Sequence, residues 1–549
     1  MRLIPLLLLL AACSNGSSDD KTDTDDTVVA DTDAADTDAA DTDITPDQPT
    51  CPEGAEHAVL TTKGCVLGTA TDEGEAFLGI PYAKPPVGDR RWKRPESISP
   101  WSEPLTANDP GPVCPQTNGT PTGTLDPLDG DEDCLRLNVL RPAGASGLPI
   151  LFFIHGGGNV DGAGSEDLYL DNPGLAKNAI LVTHNYRLGP LGFLAHPKLS
   201  LEDPEGVSGN QGLRDSILAL KFIRDNAAAF GGDPDKILLF GESAGSIDAC
   251  ALWLSPETQG WFAGVIGESG PCTSLRTPLK GALNSGESFG QRFATEASCD
   301  TETDVLACLR TRTVHDILRY LPGRQGPVGD GEDYGPVIDG KVLPKSAKKA
   351  AADGDVPNVP MMLTVNADEA TLFIPADSIA DDGAYKAALL PYAILYGLPR
   401  PLTDGVRTLH DAWDPVDYGG DANAAFRAFN TDALFVCPTR QWLNLIAPHA
   451  PAYGMYFARP LLGSEPLGAI HGAELPYVFG TITPFAAAED LTLSTTLQAA
   501  WTSMASGTPS IAGVATWPTI DAGWVQVGAD ASVSTIDDLE AEKCAILGM

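Results

Sequence analysis

The sequence predicts an α/β fold, and three stretches carry that prediction. The apolar run Ile237-Leu238-Leu239-Phe240 reads as a buried strand that breaks at Gly241 and resumes as a helix from Ala244 towards Leu254. Pro149 to Ile154 makes another apolar strand, followed directly by His155-Gly156-Gly157-Gly158. Met361 to Val365 is a third, and the chain leaves it through the acids Asp368 and Glu369. At 549 residues the chain can bury a large core, and large α/β enzymes run to this length as one domain. No repeat period is present.

The N-terminus opens with Met1-Arg2 and the apolar run Leu3 to Leu10, too short to span a bilayer and suited to a secretion signal. It closes on Leu10-Ala11-Ala12-Cys13, which resembles the lipobox of bacterial lipoproteins. That resemblance implies a signal peptide over 1–12, an acylated Cys13, and export to a lipid-anchored position at the cell envelope. By the same resemblance, Ser14 in place of aspartate implies the outer membrane or cell surface. Residues 14–50 are built from Asp, Thr and Ala, have almost nothing to bury, and read as a disordered tether. As a flexible coil such a tether spans on the order of 35 Å. Globular composition begins at Cys51, so 51–549 is expected to be the folded domain. The formal net charge of −39 argues against nucleic acid as a partner, because an acidic body disfavours strongly anionic ones.

Within that domain, Phe77 to Gly88 with Arg91-Trp92 is proline-studded and reads as a structural loop packed on a sheet edge. Glu132 to Val139 begins a strand. The three glycines after His155 let backbone N–H groups converge on one point, as an oxyanion hole requires. Gly241-Glu242-Ser243-Ala244-Gly245 places a serine on a sharp turn between strand and helix, where a Cβ at either glycine would collide with its neighbours. Gly267-Glu268-Ser269-Gly270 looks similar but lacks the second glycine at the right spacing, and Pro271 spoils a helix start.

These motifs together resemble the type-B carboxylesterases, the α/β-hydrolase family that includes the cholinesterases and neuroligins. The two signature stretches match at Phe77–Trp92 and Glu132–Val139, and the nucleophile segment runs from Phe230-Gly231-Gly232-Asp233-Pro234 to Gly245. Asn185-Tyr186-Arg187, Gly192-Phe193-Leu194, Gly209-Asn210, Glu268-Ser269-Gly270 and Pro336 to Gly340 match as well, so the likeness covers nearly everything after about residue 55. One departure is Asn159, where many relatives carry an aromatic at the pocket mouth.

The resemblance implies an α/β-hydrolase fold with a mostly parallel central sheet, flanking helices and helical lid insertions, over about 271–350 and 372–460. It implies a serine hydrolase that cleaves small-molecule carboxylic esters through an acyl-enzyme. Ser243 is then the nucleophile and His471, in Gly468-Ala469-Ile470-His471-Gly472, the base. Glu369 is the triad acid, with Asp368 beside it as the rival. The N–H groups of Gly157, Gly158 and Ala244 form the oxyanion hole, and Glu242 and Glu474 support the site without a direct chemical role. His315 and His410 lie in polar, helix-like surroundings and read as surface residues. Neuroligin-like relatives keep the fold for adhesion but lose the nucleophile, which leaves a binding module as the alternative reading.

Of the 11 cysteines, ten lie beyond Cys13, an even number that suits disulfides and an oxidising compartment. The family's three bridges map onto Cys114–Cys134, Cys299–Cys308 and Cys437–Cys544. Cys51 and Cys65 are near one another in sequence; the pairing of Cys250 and Cys272 is not assigned. No metal site has the required spacing, no dinucleotide or phosphate loop appears, and no cofactor is called for. In cholinesterases the loop matching Cys114–Cys134 offers an aromatic face to a quaternary ammonium. Here Pro115 to Asp133 contains no Trp, Tyr or Phe, which predicts neutral esters of short to medium acyl chain.

Overall fold

Along Ile237–Phe240 the side chains alternate between two hydrophobic clusters: Ile237 and Leu239 enter one, Leu238 and Phe240 the other. Ile150, Phe152 and Ile154 join the first, Leu151 and Phe153 the second. A strand that is apolar on both faces belongs in the middle of a sheet covered on both sides. The computed structural model bears this out. It describes residues 50–549 apart from 118–127, 172, 282, 325–326, 329–330, 399–400, 462, 464–466 and 483–485. The expected signal peptide, the tether up to residue 49 and Cys13 lie outside the described residues, as does the centre of the Pro115–Asp133 loop.

Among the described residues the central sheet has eleven strands. In chain order they are β1 (Thr69–Ala70), β2 (Glu75–Pro81), β3 (Arg136–Arg141), β4 (Leu148–Ile154), β5 (Ile180–His184), β6 (Gly232–Glu242), β7 (Gly264–Glu268), β8 (Met361–Asn366), β9 (Ala452–Phe457), β10 (Trp524–Val527) and β11 (Val533–Ile536). Across the sheet they lie β1-β2-β3-β5-β4-β6-β7-β8-β9-β10-β11. From β5 through β10 neighbours run parallel, while β1, β2, β3 and β11 pair antiparallel at the two ends. Strands β5, β7 and β8 are buried along their whole length. A mixed eleven-stranded sheet with helical crossovers is the α/β-hydrolase architecture expected from the sequence.

The first signature stretch differs from the expectation of a loop. Phe77 to Pro81 forms the end of β2, paired with β3 and buried at Phe77 and Ile80. The misreading came from Gly79 and Pro81. Gly79 takes φ +76° in a bulge between Phe77 and Ile80, and Pro81 occupies the last strand position.

The helices used below are α1 (Gln211–Asp225), α2 (Ala244–Leu254), α3 (Asp382–Leu395), α4 (Ala422–Thr431), α5 (Cys437–Ile446) and α6 (Ala488–Met504). α1 carries the chain between the parallel strands β5 and β6, and α2 between β6 and β7. Disulfides join Cys114–Cys134, Cys299–Cys308 and Cys437–Cys544 as the resemblance implied, and also Cys51–Cys65. Cys250 on α2 pairs with Cys272, which ties the helix behind Ser243 to the segment after β7.

Candidate active site

Ser243 sits between β6 and α2 with φ 57° and ψ −120°, a conformation that costs a non-glycine residue on the order of 1–3 kcal/mol. The neighbours enforce it. Ile154 of β4 stands opposite Gly241 in register, and a Cβ on Gly245 would overlap the Ile154 carbonyl oxygen. A Cβ on Gly241 would in turn overlap the Gly245 carbonyl. Only glycine at both positions lets strand, turn and helix stack this closely. The Ser243 N–H donates to the Glu268 carbonyl at 2.8 Å, so the turn is pinned to β7.

The glycine loop after β4 lies against this turn: a Cβ on Gly156 would stand 3.1 Å from the Ser243 Cβ. Gly157 and Gly158 take φ +96° and +62°, which explains glycine at both. The Gly157 carbonyl accepts from the N–H groups of Val160 and Asp161, each at 3.0 Å. Among the described residues, the N–H groups of Gly157, Gly158 and Ala244 donate to no protein acceptor. Three unspent backbone donors next to a serine can hold an oxyanion.

His471 presents Nδ1 to Glu369 Oε2 at 2.5 Å. Glu369 is fully buried and accepts two further bonds on Oε1, from Ser269 Oγ at 2.6 Å and from the Asn366 N–H at 2.8 Å. Asp368 is turned away: its Oδ2 accepts from the Ala469 N–H at 2.9 Å and holds the histidine loop instead. The other histidine nitrogen, Nε2, lies 3.1 Å from Glu242 Oε1, beside Ser243 in sequence, without hydrogen-bonding geometry. Nε2 thus makes no hydrogen bond among the described residues.

The surroundings are strongly acidic. Burial would lower the His471 pKa, but the Glu242 and Glu369 carboxylates overcome it and raise it to about 9. Burial raises Glu242 to about 7 despite the attraction of His471. Since two carboxylates face one imidazole, the direction that holds for this pair is a proton kept preferentially on His471. Burial also raises Glu474 to about 8 and Glu268 well above the carboxylate range, and the two repel each other's charge. The Asn366 amide donates to Glu474, and Trp501 of α6 donates to Glu268 at 2.9 Å.

Two rings flank the imidazole. Phe373 meets it edge-on at 5.0 Å between centroids, and Phe435 lies 5.2 Å away. Phe435 is delivered by a π-helical turn, Asp432–Val436, between α4 and α5. Sequence reading did not single out Ser269, Asn366, Phe373 or Phe435 as site residues. Ser269 stood in a quoted motif and could have been found there; the two rings carried no local signal. Asn159 was placed at the pocket mouth, yet it is 3% exposed, with its Oδ1 3.2 Å from the Tyr186 hydroxyl. His315 and His410 are half-buried and lie on helices, with His410 Nε2 2.7 Å from Asp382 Oδ1.

The sequence pattern of the carboxylesterase family matches residues 55–547. The chain belongs to the carboxylesterase family. It is 34% identical over 480 residues to para-nitrobenzyl esterase of Bacillus subtilis (strain 168), covering 84% of this chain and 92% of that one. A solved structure of PNB esterase superposes with a TM-score of 0.72 at 32% identity, over 89% of this chain and 99% of the other. Neuroligin-2 of Mus musculus is 31% identical over 479 residues, covering 76% of this chain and 54% of that protein. With esterases matched over nearly their full length, this carboxylesterase is a carboxylic-ester hydrolase of the α/β-hydrolase fold.

Proposed function

We propose that the enzyme cleaves esters through an acyl-enzyme on Ser243. In the enzyme whose His471 is neutral, Nε2 takes the hydroxyl proton as Ser243 attacks the acyl carbonyl, and returns it to the leaving alcohol. Glu369 fixes the imidazole with its proton on Nδ1 and stabilises the imidazolium that forms. The N–H groups of Gly157, Gly158 and Ala244 receive the negative charge of the tetrahedral intermediate. Water then attacks the acyl group with His471 again as base, and Ser243 leaves. The observation that carries this reading is the 2.5 Å bond from His471 to a buried Glu369, with Nε2 3.1 Å from the carboxylate of Glu242, the residue before Ser243 on its strained turn. Intact catalytic groups favour an enzyme over a neuroligin-like binding module.

The cell-envelope reading is also a proposal: cleavage before Cys13, acylation of its thiol, and a tether that holds the domain off the membrane. The substrates that fit are neutral small-molecule esters, since the described ends of the Pro115–Asp133 loop add no aromatic face. Labelling with a fluorophosphonate, followed by Ser243→Ala, tests the catalytic reading. The wild type should be labelled and hydrolyse nitrophenyl esters, and the variant should lose both, with turnover down at least ~1000-fold. Near-normal turnover in a folded Ser243→Ala protein would sink it.

A further inference from the structure

Ser243 holds φ 57° and ψ −120°, a conformation that persists only where the surroundings over-determine it. Part of those surroundings is one short strap, Glu268–Cys272, which carries the chain out of β7. Three attachments fasten it to the helix of the nucleophile. The Ser243 N–H donates to the Glu268 carbonyl at 2.8 Å. The Ser246 hydroxyl donates to the Gly270 carbonyl at 2.7 Å. Cys250 is bonded to Cys272. Residues 243, 246 and 250 are spaced i, i+3 and i+7, so the three attachments lie along one face at the start of α2. Strap and helix touch without room for a side chain: a Cβ on Gly270 would stand 2.2 Å from the Ser243 carbonyl oxygen and 2.6 Å from the Ser246 Cβ. Pro271, at φ −75°, stiffens the strap between Gly270 and Cys272.

The other side of the strap grips the triad acid. Ser269 is 1% exposed and takes φ +53°. Its hydroxyl donates to Glu369 Oε1 at 2.6 Å, and its N–H donates to the Thr364 carbonyl of β8 at 2.9 Å. At the far end the Cys272 sulfur lies 3.9 Å from the sulfur of Met361, the first residue of β8. Nucleophile and acid follow β6 and β8, which are not neighbours in the sheet. β7 lies between them, and its strap is bonded to both sides.

We propose that the Cys250–Cys272 disulfide, together with Ser246, is a positioning device for catalysis: it clamps the strap Glu268–Cys272 on α2 and so holds the strained Ser243 turn in place relative to Glu369 and the imidazole. Hydrogen bonds along the strap open and close with local motion, whereas the sulfur–sulfur bond does not. Without it, α2 and the strap are free to part at their far end, and the two hydrogen bonds nearer Ser243 must hold the turn alone. The turn then relaxes in part of the molecules, and the Ser243 hydroxyl leaves the place from which it meets the imidazole and the acyl carbon. Cys250, Cys272 and Ser246 are 1%, 0% and 0% exposed, so none of them touches an ester. The device therefore acts on the chemical step and not on substrate binding. The Cys299–Cys308 bridge is the natural contrast, because it packs in a different hydrophobic cluster from the one that holds Cys250 and Cys272.

The assignment rests on the esterase reading, and the test separates the two. Wild type, Cys250→Ala/Cys272→Ala and Cys299→Ala/Cys308→Ala are compared in kcat and KM for a nitrophenyl ester and in the rate of fluorophosphonate labelling. Active sites are counted with the same probe, and a thermal melt is the folding control. Both variants should melt lower, because each loses a cross-link. Only Cys250→Ala/Cys272→Ala should also lose kcat, about tenfold, with KM within about threefold and labelling slowed by a similar factor. Cys299→Ala/Cys308→Ala should keep kcat within about twofold. Wild-type kcat and labelling in a folded Cys250→Ala/Cys272→Ala enzyme overturn the assignment, as does a loss confined to KM. An equal loss of kcat in Cys299→Ala/Cys308→Ala overturns it too. A folded wild type that neither hydrolyses esters nor takes up the probe overturns the esterase reading instead. If Cys250→Ala/Cys272→Ala does not fold, Ser246→Ala decides, since it removes only the middle attachment. Its kcat should fall about fivefold with KM unchanged, and an unaltered kcat refutes the proposal.

Discussion

Glu369→Gln is the sharpest single perturbation of this site, because it keeps the shape and removes only the charge and one acceptor. The glutamine oxygen can still take the bonds from Ser269 Oγ and the Asn366 N–H, at 2.6 and 2.8 Å, so the loop after β8 keeps its anchor. The other end of the amide is then an NH2 group facing His471 Nδ1, where the carboxylate stood 2.5 Å away. Two donors cannot share that contact. The imidazole must carry its proton on Nε2, the nitrogen that should accept from Ser243, and any imidazolium loses its buried counter-charge. A wrong tautomer of this kind lowers kcat by about 10³–10⁴, or ~4–5.5 kcal/mol of transition-state stabilisation. Because the substrate does not touch Glu369, KM should stay within about threefold. The assay is stopped-flow hydrolysis of a nitrophenyl ester with a thermal melt as the folding control. The acid limb of the pH profile should also move down, because Glu369 is one of the carboxylates that raise His471. Asp368→Asn is the control, since Asp368 holds the Ala469 N–H and not the imidazole, and should cost less than about tenfold. A folded Glu369→Gln enzyme within tenfold of wild type, or an Asp368→Asn enzyme equally impaired, would refute the assignment of the acid.

Three further outcomes follow from the same chemistry. Stability should fall as pH rises from about 6.5 to 8.5: Glu242, Glu474 and Asp248 have raised folded pKa values of about 7, 8 and 8, and His471 one of about 9. The native state thus keeps protons there that the unfolded chain releases, at up to about 1.4 kcal/mol per pH unit for each group until its own folded pKa is passed; urea midpoints that stay level or rise across this range contradict it. Below 6.5 the buried His155 and His184, lowered to about 4 and about 3, act in the opposite sense, because the unfolded chain takes up protons that they refuse. Cys13→Ser should abolish metabolic labelling with a fatty-acid analogue and release the enzyme from membranes; labelling that persists rules out Cys13 as the acylated residue. A choline ester should show no more than ~30-fold higher kcat/KM than its 3,3-dimethylbutyl isostere, about 2 kcal/mol, and a larger ratio would reveal a cation site.

What the sequence determined by itself was local or strongly patterned. Ile237–Phe240 could only be a doubly covered strand, and Gly241-Glu242-Ser243-Ala244-Gly245 encodes its own turn, because the constraint is a clash among a few neighbouring atoms. The order of serine, acid and histidine along the chain was likewise legible. The choice between Asp368 and Glu369 was not a local matter: it depends on which carboxylate meets a ring 102 residues away, with Ser269 a further hundred residues upstream. Phe435 reaches His471 only because a π-turn between α4 and α5 rotates it there. Asn159 looked like a change at the pocket mouth, but it is buried against the Tyr186 hydroxyl once β4 and β5 are paired side by side. Hydrophobic period and glycine sterics are carried by near neighbours and can be read from a string. Contacts between residues far apart in the chain exist only after folding, and the raised pKa values of the buried acids arise only when water has been excluded around them.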